Sequence, residues 1–213
     1  MFSINKTIRY FLYWDFAINS GWGLISPVFA IFILENISAG GIAQGAKVVG
    51  FATLFYWGTK AVLQLPIARY LDINHGEIDD FWFCFYGTII TGLIPLGFIF
   101  ASVPWHIYAL QVVHAIGMSM VTPSYNAIYI RHIDKGHEAF ETGLNNTLVG
   151  VGVGVTGAIG GIMAGYAGFN LIFIATSVLT LLAAFFIFLN KGEMAPKVPR
   201  GVHSFPVGKG TIK

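Results

Sequence analysis

The chain has 213 residues, a formal net charge of +2, 55% hydrophobic residues and only 10% charged ones. An ordinary soluble domain carries about 25% charged residues, so the composition excludes a fold built for water. The small net charge, with no basic patch interleaved with aromatics, also excludes nucleic acid as a partner.

Six stretches have the length and character of membrane helices, which need about 20 mainly apolar residues. The first covers 8–34. Lys6 and Arg9 precede it as in a signal peptide, but the apolar run is too long and lacks a small-residue cleavage site, so a retained helix is expected. Within it Asp15, Asn19 and Trp22 are spaced by four and three and share one face. The segment GWGLISP ends at Pro27, which removes a helix hydrogen bond and predicts a bend. The second stretch, 46–71, contains Lys60. The loop YLDINHGEIDDF follows, with Asp72. The third stretch, 81–103, contains Cys84, the one cysteine of the chain, expected as a small buried apolar residue.

The fourth stretch, 105–130, carries Gln111 and His114 on one face, then GMSMVTP ending at Pro123, where a second bend is expected, then Tyr125 and Asn126. After the charged loop RHIDKGHEAFE comes the fifth, 142–166. Asn145 and Asn146 open it, where capping, loop bonding and a cavity role compete. Gly143, Gly150, Gly154, Gly157 and Gly161 form a stripe that lets another backbone approach closely, in the same bundle or in a second one. The sixth covers 169–189. The domain is therefore expected over residues 1–190, with 191–213 as a polar, flexible cytoplasmic tail.

Catalytic and cofactor chemistry find no support. No zinc or iron–sulfur spacing exists, so no metal site is expected. The glycines at 150–154 follow no strand and precede no phosphate-loop lysine, which excludes nucleotide binding. No triad or paired acid–base carboxylates occur. The reading is a non-enzyme without cofactor.

Orientation follows from the excess of Lys and Arg on cytoplasmic loops. With the N-terminus inside, Lys6, Arg9, Arg69, Arg131, Lys135 and Lys191 and the basic residues of the tail lie inside, and Lys47 alone lies outside. Both termini are expected in the cytoplasm, the protein in the cell membrane and its partner the lipid bilayer.

One offset brings Gly21, Ile25, Ser26 and Pro27 onto Gly117, Val121, Thr122 and Pro123, and Asp15 onto Gln111. The first three stretches (about 8–103) thus match the second three (about 105–189). Three is odd, so the second unit enters the membrane from the opposite side. That is an inverted-topology repeat, a frequent plan of secondary transporters.

On these residues the chain resembles one half of a major facilitator superfamily transporter. TGAIGGIMAGYAGFNLIF (156–173) resembles the family's fifth span and the turn into its sixth. PIARYLDINHG (66–76) resembles the motif between spans two and three, with Asp72 at its acidic position, and QVVHAIGMSMVTP (111–123) resembles the fourth span. The chain departs from the family where Gln111 replaces the arginine of that fourth-span motif, where Ala115 replaces its first glycine, where the basic residues after Asp72 are missing and where span five lacks its antiporter proline.

The resemblance implies an all-α, six-helix membrane bundle that needs six more spans. A parallel homodimer supplies them. Spans one and four would then line a central cavity, two and five would pack across the dimer, and three and six would face lipid. The gating contact of Asp72 would fall on the start of span five in the other copy.

The expected function is alternating-access transport of a small organic solute, with protons as candidate coupling ions. Half of a heterodimeric transporter and a non-transporting scaffold or receptor are the alternatives. An ionisable residue inside a span is a functional candidate by default, which singles out Asp15, about 10 Å into its span, and Lys60, about 16 Å into its own. Pairing of the two, a water-reached interfacial Asp15 and a snorkelling Lys60 remain open. Asn19, Trp22, Gln111, His114, Tyr125 and Asn126 complete the candidate set for substrate or proton handling.

Overall fold

The computed structural model describes residues 5–74, 77–189 and 191–193. The expected tail beyond 193 lies outside these residues. Seven α-helices follow in order: α1 (Lys6–Ile25), α2 (Phe29–Asn36), α3 (Gly41–Asn74), α4 (Glu77–Ile99), α5 (Pro104–His132), α6 (Glu138–Ala167) and α7 (Phe169–Leu189). A 3₁₀ turn, Lys191–Glu193, comes last.

The ends of the helices follow local chemistry. Asn5 caps α1 by accepting the Thr7 amide at 3.0 Å. Glu77, Asp79 and Asp80 crowd the first turn of α4, and Arg131 and His132 the last turn of α5, each opposite in sign to its end of the helix dipole. Pro104 opens α5, where its missing N–H costs nothing. Gly168 alone joins α6 to α7 with a φ of 75°, a conformation natural to glycine.

The two prolines of the repeated segments behave differently. Pro27 separates α1 from α2, and the turn is closed by a tighter bond from the Val28 amide to the Ile25 carbonyl, 3.0 Å. Pro123 lies inside an unbroken α5. Pro66 and Pro95 likewise sit inside continuous helices, since neighbouring helices and side chains compensate a missing amide in an apolar setting. The Ser119 and Ser124 hydroxyls of α5 donate to the Ala115 and Met120 carbonyls, both at 2.7 Å.

Among the described residues four segments are long and apolar enough to cross a membrane: Lys6–Asn36 taken as one, α4, α6 and α7. These are the first, third, fifth and sixth of the expected spans. α3 and α5 have ample length, 34 and 29 residues, but more polarity, because one carries Lys47, Lys60 and Arg69 and the other His106, Gln111, His114 and Asn126.

α1 packs between α6 and α7, α5 packs between α3 and α4, α4 packs on α7, and α2 leans on α3. Small residues set the closest approaches. Thr176 of α7 donates to the Gly21 carbonyl at 2.9 Å, and a methyl group on Gly21 would stand 3.0 Å from the Thr180 hydroxyl. Gly87 and Gly117 face each other across α4 and α5, each too close to the other's carbonyl for a side chain. Ser177 ties α7 to the Gly92 carbonyl of α4 at 2.6 Å. Such close backbone contact with hydroxyl bonds replaces the hydrophobic drive that is missing between helices in lipid.

Spans three and six were expected to face lipid. α4 and α7 are exposed on one side only, since Thr88, Thr91, Thr176 and Thr180 are fully buried on the other. α3 and α6 are the most exposed helices, and α6 buries only Glu141, Asn145, Gly152 and Gly160. Cys84 is buried, as expected.

Candidate functional site

Two adjoining cavities lie between α1, α3 and α5. One, of about 440 Å³, is lined by Trp14, Asp15, Ile18, Asn19 and Trp22 of α1, Tyr56 of α3, and His114, Met118, Val121, Thr122, Tyr125 and Asn126 of α5. The other, of about 360 Å³, is lined by Trp22, Ile25, Ser26, Phe29, Thr53, Tyr56, Trp57, Gln111 and His114. The face of α1 read from the spacing of Asp15, Asn19 and Trp22 therefore does border a cavity. The α5 residues meet it from the opposite wall.

Asp15 is held entirely by neutral donors. Asn19, one turn on, gives its amide to Oδ1 at 2.6 Å. Asn145 reaches from α6 to Oδ2 at 2.6 Å, and the Tyr125 hydroxyl of α5 comes to the same oxygen at 3.3 Å. The Asn145 amide also donates to the Tyr125 oxygen, 3.1 Å, so three helices meet on one carboxylate. Tyr125 is fixed in turn by its stack on Trp14, with centroids 4.9 Å apart. The Trp14 indole donates to Thr88 of α4 at 3.1 Å. In the sequence Asn145 opens span five with a cavity role as one of three competing readings. Its reach to Asp15 depends on which face of α6 turns to α1, and the wide glycine content of α6 obscures that face.

Three residues line both cavities: Trp22, Tyr56 and His114. The His114 ring lies flat on Trp22, centroids 4.0 Å apart and planes 5° from parallel, and Tyr56 comes within 4.9 Å on a tilt. Gln111 stands 3.4 Å from His114 Nδ1. Rings from three helices thus form a partition. The carboxylate lies on one side, and Gln111 and Ser26 lie on the other. Sequence reasoning named two of the three rings. Tyr56 gave no signal, because aromatics are abundant throughout α3.

Lys60 lines neither cavity and is not among the partners of Asp15. Its Nζ lies 5.2 Å from the Trp57 ring and 5.9 Å from that of Tyr56, a cation–π arrangement on α3 itself. Asp72 is exposed on the last turn of α3.

The glycine stripe of α6 divides. Gly143, Gly150, Gly154 and Gly161 have open space where a side chain would stand, and Gly157 comes only to ordinary contact with the Gly23 carbonyl, 3.6 Å. Packing within the bundle is done instead by Gly152 and Gly160, where a methyl group would collide with Ser20 and with the Leu24 backbone of α1.

A second charged group closes the end of the bundle where α1 begins. Arg131 of α5 is paired with Asp80 of α4, whose side chain is fully buried, and His132 lies 3.5 Å from Glu77. Glu141 of α6 accepts the Asp134 amide at 3.2 Å. Sequence analysis used Arg131 only for orientation. The pair was hidden because its partners lie 51 positions apart.

These features have counterparts among known proteins. The model of the Major Facilitator Superfamily matches residues 16–212. The uncharacterized MFS-type transporter YhhS of Escherichia coli K12 is 24% identical over 190 residues, which is 87% of this chain and 43% of that protein. The YhhS proteins of Shigella flexneri and Salmonella typhimurium are 24% and 23% identical over the same shares. The chain therefore spans less than half the length of these relatives. With its family model covering nearly the whole sequence and its apolar helices built as a bundle, the chain is an integral membrane protein that belongs to the Major Facilitator Superfamily.

Proposed function

We propose that this chain forms one six-helix half of a secondary transporter for a small organic solute, completed by a parallel second copy and working by alternating access in the cell membrane. The observation that carries this reading is Asp15. A carboxylate in a membrane span costs several kcal/mol to hold there. Here it sits at the wall of a cavity of about 440 Å³, and among the described residues no cation is bonded to it. A structural carboxylate would be expected to have a basic partner. One kept for traffic would not.

The packing supports an inverted 3+3 repeat. Exchange the first three spans for the last three, taking α1 and α2 as one span. The contact of α1 with α6 then becomes that of α5 with α3, and the contact of α1 with α7 becomes that of α5 with α4. The α4–α7 contact maps onto itself. Gly21 and Gly117 play matching parts, each admitting its helix to the third span of the other unit.

The open faces support completion by another bundle. α3 exposes Phe51, Leu54, Trp57, Val62 and Leu65, and α6 exposes Val151, Val155, Ile159 and Ile162 beside the free glycine stripe. Asp72, exposed at the end of α3, would meet the start of α6 in the partner, where a carboxylate is favoured by the helix dipole. Both chain ends are placed in the cytoplasm by the distribution of Lys and Arg.

The test is native mass spectrometry of the purified chain in nanodiscs, followed by solute counterflow in proteoliposomes. A dimer that catalyses flux is the expected result. A monomer overturns the homodimer and directs the search to a different six-span partner. A dimer without flux for any solute favours a scaffold or receptor.

A further inference from the structure

The transported solute can be assigned a charge. Resting on the transporter reading above, we infer that the cavity between α1 and α5 takes a protonated organic amine, bound with its nitrogen at Asp15 and its apolar body against the surrounding rings.

The walls carry one formal charge, and it is negative. None of the residues lining either cavity is Lys or Arg. Asp15 has only amide and phenol donors, so its charge is solvated locally but not neutralised. An anion entering here would meet an uncompensated carboxylate in a medium of low dielectric, where repulsion is strong. A neutral donor gains a hydrogen bond to the carboxylate but no charge attraction. A cation gains a charge-assisted hydrogen bond.

Two further observations agree. The rings of Trp14, Trp22, Tyr56 and Tyr125 line the same cavity, and aromatic faces attract cations. The Lys60 ammonium lies 5.9 Å from the Tyr56 ring, so a cation in the cavity is favoured at the Asp15, Trp14 and Tyr125 end and repelled at the Tyr56 end. Second, Asp15 accepts three side-chain hydrogen bonds where its two oxygens offer about four sites, so a site is left for an N–H, which a quaternary nitrogen lacks. Farther along α1, the Trp22 indole N–H is buried without a partner. Seven residues of helix put it about 10 Å from Asp15 along the axis, so an oxygen at the far end of the amine would find a donor there.

The experiment is calorimetric titration of the full chain in nanodiscs with three probes of one shape: 4-phenylbutylamine, 4-phenylbutanol and 4-phenylbutyrate. Empty nanodiscs provide the partition blank. Saturable binding of the amine, at least about tenfold tighter than the alcohol and without measurable binding of the carboxylate, is expected; tenfold is about 1.4 kcal/mol. Asp15→Asn should bring amine and alcohol to equal affinity, and Asp15→Glu should restore the preference. The restored preference rules out a folding defect as the cause of the loss. Equal binding of amine and alcohol by the wild type, binding of the carboxylate, an Asp15→Asn chain that keeps its preference, or no saturable binding of any probe would each overturn the inference. Counterflow of the bound amine separates the two claims. Amine binding without flux leaves the site and removes transport, whereas flux of a neutral or anionic solute leaves transport and removes this assignment.

Discussion

At the scale of single residues, the carboxylates of Asp80 and Asp15 are held in opposite ways. Asp80 is satisfied by a guanidinium and ties α4 to α5. Removing one member of such a pair leaves a buried charge alone and costs about 3–5 kcal/mol. Arg131→Ala should therefore lower the unfolding midpoint in detergent sharply, and Asp80→Leu combined with Arg131→Leu should recover much of the loss; thermal unfolding followed by circular dichroism reads both. Asp15 has no such pair. Asn145→Ala deletes one strong bond to it and one to Tyr125, a cost of about 1–3 kcal/mol. The expected outcome is a modest loss of stability with a loss of solute flux larger than tenfold, about 1.4 kcal/mol on the transport step. Flux that fell only in proportion to the folded fraction would make Asn145 a packing residue. The sequence made Asp15, Asn19 and Trp22 legible because helical spacing alone puts them on one face. It could not show Asn145 or Arg131 in their roles, because those depend on which helices become neighbours.

At the scale of elements, the sequence reads most clearly in helix number and order, and least clearly in the faces of α6. Its glycines alternate between two tasks. Gly152 and Gly160 seat α1 and leave no room for a side chain, whereas Gly154 meets nothing. Overpacking a tight helix contact costs about 1–3 kcal/mol. Gly160→Leu should thus destabilise the single bundle, seen as a lowered midpoint in monomeric detergent conditions. Gly154→Leu should leave that midpoint unchanged and weaken association between bundles, read as a shifted monomer–dimer ratio in nanodiscs. A spacing pattern cannot divide these tasks, because a helix dense in glycine offers several stripes of equal quality. The prolines teach a related point. Of the two matched prolines, Pro27 ends a helix and Pro123 stays inside one, since sequence does not reveal whether neighbours will hold the freed carbonyl.

At the scale of the molecule, the helices bury their inner faces fully but leave α3 and α6 bare on one side, as a half-completed assembly would. If a second copy covers that side, a cysteine at Val155, exposed on α6, should cross-link between copies with a short bifunctional maleimide. A cysteine at Phe185, exposed on α7, should not. Cys84 is buried and would not compete. Cross-linking at Phe185 in preference to Val155 would move the interface to the other side of the bundle.

The ring cluster of Trp22, Tyr56 and His114 has a consequence for helix movement. Each ring belongs to a different helix, so the cluster has no backbone of its own and exists only while α1, α3 and α5 keep their present offsets. A shift of α1 along α5 by one helical turn, about 5.4 Å, would carry the indole off the imidazole and merge the two cavities. Helix displacement and cavity fusion would then be one event.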